Sequence, residues 1–218
     1  MNDLTTLIVV CAAITAACCL PLTVIASTVA PTASPASDGH GLRTIGMLTG
    51  CFAAALCLGA TAAARLGLRP ALPVTIATIA AGTALTVTDL RARRLPDLLI
   101  APIPIVWAAT AVATIATHTA DATAAVLQAI ITGATIAVLS LLLALARAGI
   151  GAGDIKLVAV LATVTAWSGL QHLAMFLTLA AGLALLPAVT KLIHTRNLRA
   201  TIPAGPTLCA AAVIAQLL

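Results

Sequence analysis

The stretch ATAAVLQAIITGATIAVLSLLLALA, residues 122–146, decides the fold class of this chain. It contains no charged side chain and is bounded by Asp121 and Arg147. About 20 predominantly apolar residues are enough for a helix to cross a lipid bilayer. The stretch therefore predicts a transmembrane helix, and the rest of the chain repeats the pattern.

Seven more apolar segments surround it. They lie at about 5–30, 45–64, 70–88, 97–117, 155–170, 171–190 and 202–218. The 218-residue chain is 61% hydrophobic and only 8% charged, whereas soluble domains carry roughly 25% charged residues. We therefore expect an all-α, polytopic membrane bundle of about eight transmembrane helices, with seven as the alternative count.

The bundle is expected to be one membrane-embedded domain over residues 1–218. Residues 1–44 would form an N-terminal helix and a short polar loop, and residues 45–218 the catalytic helical core. The first helix is expected to be retained rather than cleaved as a signal peptide. Its start, Met1–Asp3, is not basic, and its apolar run exceeds the roughly 7–15 residues of a signal-peptide core.

Charge and cysteine content exclude other classes of protein. The eleven lysines and arginines are spread over short loops without interleaved aromatic residues, so no nucleic-acid partner is expected. The six cysteines fall in apolar segments without a CxxC pair or zinc-site spacing, which is typical of small buried hydrophobes. We expect no metal and no cofactor, and the lipid bilayer as the surroundings.

The basic loops predict the orientation. Loops at 91–94, 147–156 and 191–199 would share one side of the membrane, which the positive-inside rule makes cytoplasmic. Arg65 and Arg69 conflict with this, because they would lie in an outer turn. Asp89 and Asp154 would both lie at cytoplasmic helix ends.

These two aspartates are the main functional candidates. An ionisable residue at membrane depth is energetically costly, so it usually has a function. Two carboxyl groups held close cannot both ionise easily, so one retains a proton. The ionised group can draw a proton from water that attacks a peptide carbonyl, and the protonated group can assist the leaving amine. Because such a pair titrates as a unit, the sequence does not assign the two roles.

Neighbouring residues are expected to support this site. Gly151 and Gly153 would permit backbone conformations closed to other residues and leave room for an extended substrate. Pro96 would start the helix after Asp89, and Asp97 would place negative charge near its N-terminus. Lys156 is expected to determine topology or to snorkel, with contact to the substrate or tuning of the Asp154 protonation as alternatives.

Two segments resemble motifs of bacterial type IV prepilin leader peptidases. Thr88–Asp97, TDLRARRLPD, resembles their first aspartate motif, and Gly151–Leu157, GAGDIKL, resembles the GxGD signature. Ile202–Pro206 is similar to a Pro/Gly-rich element near the family's C-terminus. The resemblance covers about residues 43 to 218 and implies that Asp89 and Asp154 are catalytic. It also implies cleavage of the basic leader of prepilins or pseudopilins after a glycine, at the cytoplasmic face of the inner membrane.

The chain departs from the family pattern in two places. Full-length members have a cytoplasmic zinc-binding insertion with two CxxC pairs, but only residues 31–44 are available here and they contain no cysteine. The resemblance therefore implies a short, peptidase-only form without N-methyltransferase activity. Asp97 also stands where many members have Asn.

Other interpretations stay open. Asp154 could be a helix-end residue that meets water, and Asp89 could form an ion pair with Arg91 or Arg93. Among functions, a preflagellin-peptidase-like or other GxGD-type intramembrane protease is the nearest alternative. A proton-coupled transporter or an inactive scaffold is a more distant one.

Overall fold

The computed structural model describes residues 3–29, 39–92, 96–117, 120–146, 151–195 and 204–218, and within these ranges every regular element is a helix. This confirms the prediction of an all-α helical membrane bundle. The described helices are α1 (Asp3–Val29), α2 (Gly39–Leu66), α3 (Ala71–Ala92), α4 (Asp97–Ile100), α5 (Pro102–Thr117), α6 (Ala120–Ala146), α7 (Ala152–Ser168), α8 (Leu170–Thr195) and α9 (Gly205–Leu217).

Four segments are long and apolar enough to cross a membrane: Thr49–Leu66, Ala71–Asp89, Asp97–Thr117 and Asp121–Ala146. Shorter apolar helical stretches cover Thr5–Cys19, Leu170–Leu185 and Gly205–Leu217. All eight predicted segments correspond to helices, and the fourth comprises both α4 and α5.

Several predicted boundaries were wrong. Helix α3 continues to Ala92, so Asp89 lies in its last turn rather than just after the predicted end at residue 88. Pro102 has no N–H to donate to the preceding turn, and α4 and α5 are separate helices on either side of Ala101. Helix α6 begins at Ala120, two residues before the predicted segment 122–146. Helix α8 continues into the predicted loop at 191–199 as far as Thr195.

The chain divides into two compact units. The first comprises Met1–Trp107 with Leu217, and the second Ala108–Gln216 with Leu218. The single domain over residues 1–218 stays a prediction.

In the first unit, helix α3 forms the core. In the span Ala71–Asp89, 67% of the residues are buried, against 22% for Thr49–Leu66 of α2. A helix that is apolar on all sides is buried by its neighbours, and α3 packs on both α1 and α2. The Cys19 thiol on α1 lies 3.3 Å from the Thr83 hydroxyl on α3, which adds a polar contact between these helices.

In the second unit, α7 packs against α6 and α8. The buried residues of α7 are Leu157, Leu161, Ala162, Val164, Thr165 and Ala166. Helix α6 is much more exposed, with 11% of the span Asp121–Ala146 buried. An apolar, exposed helix of this length is what a lipid-facing span requires.

The glycines that allow close helix packing were not predictable from composition. A methyl group on Gly59 would come within 2.9 Å of Thr15 Cβ on α1. One on Gly133 would collide with Thr163 on α7. By contrast, Gly182 has no neighbouring atom within 4 Å of the position of a Cβ.

Candidate active site

Asp89 lies in the last turn of α3, three residues before Ala92 ends the helix. It is only 5% exposed, and the adjoining Val87 and Thr88 are 0% and 1% exposed. The Thr88 hydroxyl donates to the Leu85 carbonyl at 3.0 Å, so its own helix satisfies it. A carboxyl group buried in this way is stable only when it is hydrogen-bonded, paired or protonated.

Asp154 lies in the first turn of α7. Gly151 is the N-cap of this helix, which makes Asp154 the third helical residue. Its N–H donates to the Gly151 carbonyl at 3.0 Å, and its side chain is half-buried. The carboxylate turns back toward the cap, because a Cβ placed on Gly151 would lie 3.4 Å from Asp154 Oδ2.

The two carboxyl groups therefore lie at electrostatically opposite helix ends. The N-terminal end of a helix has a partial positive charge and favours anions, whereas the C-terminal end has a partial negative charge. Asp154 has the favourable location for negative charge, and Asp89 the unfavourable one. Asp89 belongs to the first compact unit and Asp154 to the second.

One expectation about the glycines was wrong. Gly151 has φ −70° and ψ 142°, an extended conformation that any residue adopts. Gly153 lies within the first turn of α7. The missing side chain of Gly151 leaves space beside the Asp154 carboxylate. This glycine therefore provides space and not an unusual backbone conformation.

The remaining candidates lie close to these two helix ends in the sequence. Pro96 is the N-cap of α4, and Asp97 is exposed in its first turn, where negative charge is favourable, as predicted. Lys156 is exposed near the start of α7. Their roles in a site stay predictions.

Part of the predicted pattern lies outside the described residues. This holds for Arg93, Arg94 and Arg147, for Arg196 and Arg199 in the third basic loop, and for Ile202 and Pro203 of the Pro/Gly-rich element. The last two residues of that element, Gly205 and Pro206, begin helix α9.

In the part of the chain that the structure describes, no three His, Cys, Asp or Glu side chains are grouped so that they could hold a metal ion.

Sequence reasoning missed how closely Gly151 and Asp154 are associated. The signal was present in the spacing, since an acidic residue three positions after a helix cap can reach back to the cap. Locating the N-cap of α7 at Gly151, rather than the start of the apolar run at residue 155, would have revealed this contact.

A family model for the type IV leader peptidase family matches residues 76–189, which is more than half of the chain. The matched range contains Asp89, Asp154 and both motif segments. No curated protein and no solved structure matches the chain.

Proposed function

Because the chain belongs to the type IV leader peptidase family, we propose that it is an aspartyl endopeptidase that removes the leader peptides of type IV prepilins or pseudopilins. The family makes it a peptidase, and the long apolar helices make it a membrane protein. The observation that carries the proposal is that the family match includes two aspartates, each within one turn of a helix end.

In the proposed mechanism, Asp89 and Asp154 face each other across a hydrated cleft and hold one proton between them. The ionised carboxylate draws a proton from water as the water attacks the scissile carbonyl. The protonated carboxyl group donates a hydrogen bond to the carbonyl oxygen and then helps the amine to leave. No covalent intermediate is required.

The polarity of the two helix ends supports a proposed division of the two roles. Asp154 lies at the positive end of α7, so it is the proposed base. Asp89 is buried at the negative end of α3, so it is the proposed acid. Because the pair titrates as a unit, a pH–rate profile would describe both groups together.

The proposed substrate has a basic leader, a glycine before the cleaved bond and an apolar helix that stays in the bilayer. The basic residues within 91–94, 147–156 and 191–199 support cleavage at the cytoplasmic face of the inner membrane. Gly151 and Gly153 leave space for the extended peptide, and Lys156 contacts it. Pro96 and Asp97 position the helix that follows Asp89.

The test is cleavage of such a substrate by the full chain reconstituted in vesicles. Asp89→Asn and Asp154→Asn should each lower the rate by about 10³-fold, within the usual range for loss of an acid–base group. Asp121→Asn is the matched control, because Asp121, like Asp154, lies in the first turn of an apolar helix, but its side chain is exposed. If both active-site variants cleave at the wild-type rate, the proposal is wrong.

A further inference from the structure

The turn between α2 and α3 has a chemistry that the proposed peptidase activity does not use. Arg65 and Arg69 are both exposed, and Leu68 between them is 86% exposed. We call residues 65–70 the arginine turn. The turn therefore presents one apolar and two cationic side chains together.

The arginine turn lies at the end of two membrane spans. One candidate span ends at Leu66 and the next begins at Ala71. The turn must therefore lie close to the boundary between the apolar bilayer core and water. Asp89 is roughly 27 Å from Ala71 along α3, at 1.5 Å per residue, so the turn and the proposed acid lie at opposite ends of this helix.

Backbone hydrogen bonds hold the turn in one shape. Gly67 has φ 58°, a left-handed conformation that favours glycine. Its N–H donates to the Ala63 carbonyl at 3.0 Å, and the Leu72 N–H donates to the Arg69 carbonyl at 2.9 Å. The two arginines are thus presented from a fixed backbone.

The two helices that the arginine turn connects contribute little negative charge. Between residues 39 and 92 the sequence has one acidic residue, Asp89, at the far end of α3. Arg65 lies in the last turn of α2, where a cation stabilises the helix end. Arg69 directly precedes the start of α3, where the helix end is itself positive, so its location is unfavourable without an external anion.

We infer that the arginine turn binds the phosphate groups of anionic phospholipids. Guanidinium groups bind phosphate through paired hydrogen bonds, and Leu68 would reach into the adjoining acyl region. Zwitterionic headgroups carry their own cation beside the phosphate, so two exposed arginines favour lipids with net negative charge. This lipid contact would offset the placement of Arg65 and Arg69 against the positive-inside rule.

The test uses the full chain in nanodiscs that contain equal amounts of phosphatidylcholine and phosphatidylglycerol. Native mass spectrometry measures which lipid stays bound after the disc is released. The wild type should retain phosphatidylglycerol preferentially. Each arginine near a lipid surface contributes about fivefold in affinity, so Arg65→Gln with Arg69→Gln should lower the preference about 25-fold.

Three variants make the result decisive. Arg43→Gln removes one charge from the first part of the same helix α2 and should leave the preference unchanged. The double change of Arg65 and Arg69 to Lys keeps the charge but loses the paired hydrogen bonds, so it should retain only part of the preference, whereas Leu68→Ala should leave lipid selectivity intact. Equal helical circular dichroism in phosphatidylcholine alone shows that the variants fold. The inference is overturned if the wild type has no preference, or if the double Gln variant keeps the wild-type preference.

Discussion

Asp89 and Asp154 are the same residue type in two contrasting locations. Asp89 is buried near the C-terminal end of α3, the most enclosed span of the first unit. Asp154 is half-buried at the N-terminal end of α7, beside a glycine that leaves space around its carboxylate. Under the proposed mechanism, helix polarity and burial would distinguish the acid from the base before any substrate binds.

Lengthening each carboxylate by one methylene should produce the largest difference between the two locations. Asp89 has fully buried neighbours, so Asp89→Glu would overpack the end of α3, at about 1–3 kcal/mol of stability. Asp154 faces the open space beside Gly151, so Asp154→Glu should keep the wild-type stability. Cleavage should fall about 100-fold or more for Asp89→Glu and markedly less for Asp154→Glu.

Thermal unfolding in detergent, together with cleavage rates in vesicles, measures both effects. Asn at the same positions is the control, because it replaces the carboxyl group without lengthening the side chain. Equal losses of stability for the two Glu variants would show that burial does not distinguish the sites.

Helix packing in the two units can be compared through their tightest glycines. A methyl group on Gly133 would collide with the Thr163 side chain and lie 3.2 Å from the Thr163 Cα. A backbone atom cannot rotate away, so Gly133→Ala should lower the free energy of unfolding by about 1–3 kcal/mol. Gly59→Ala meets only the Thr15 side chain and should cost less.

Gly182→Ala is the matched control for both variants, because nothing surrounds the position of its Cβ. It should be neutral or stabilising by up to about 1 kcal/mol, since alanine favours a helix over glycine. Unfolding of all three variants in the same detergent gives the comparison. A destabilised Gly182→Ala would mean that helix α8 packs more closely than the structure shows.

The sequence predicted where helices occur better than where they end. Apolar runs located every span, because bilayer-length runs have few alternatives. Hydropathy placed the end of the third segment at residue 88, yet α3 continues to Ala92 because arginine and alanine are good helix formers. Helix α8 likewise continues beyond its apolar run, through Lys191 to Thr195.

The sequence nominated residues for the candidate site, whose roles stay predictions, but it did not predict their local geometry. Burial cost identified Asp89 and Asp154 from the sequence. The conformation of Gly151 could not be predicted, because a glycine tolerates a left-handed φ without requiring one. The close contacts at Gly59 and Gly133 depend on which helix faces meet, which one-dimensional composition does not contain.

The smallest expected effect concerns the free energy of unfolding, which Asp154→Asn and Asp89→Asn should change in different directions. Asp154→Asn removes a favourable interaction with the N-terminal end of α7, so it should lower the free energy of unfolding by about 0.3–1 kcal/mol. Asp89→Asn removes a carboxyl group from a buried position at a negative helix end, so it should be neutral or stabilising. Thermal unfolding of the two variants beside Asp121→Asn measures this, and Asp121→Asn should resemble Asp154→Asn because it also removes an acid from a first helical turn. A loss of stability for Asp89→Asn as large as that for Asp154→Asn would mean that contacts of the Asp89 carboxylate outweigh helix polarity, and the roles proposed for the two aspartates would then lose their electrostatic basis.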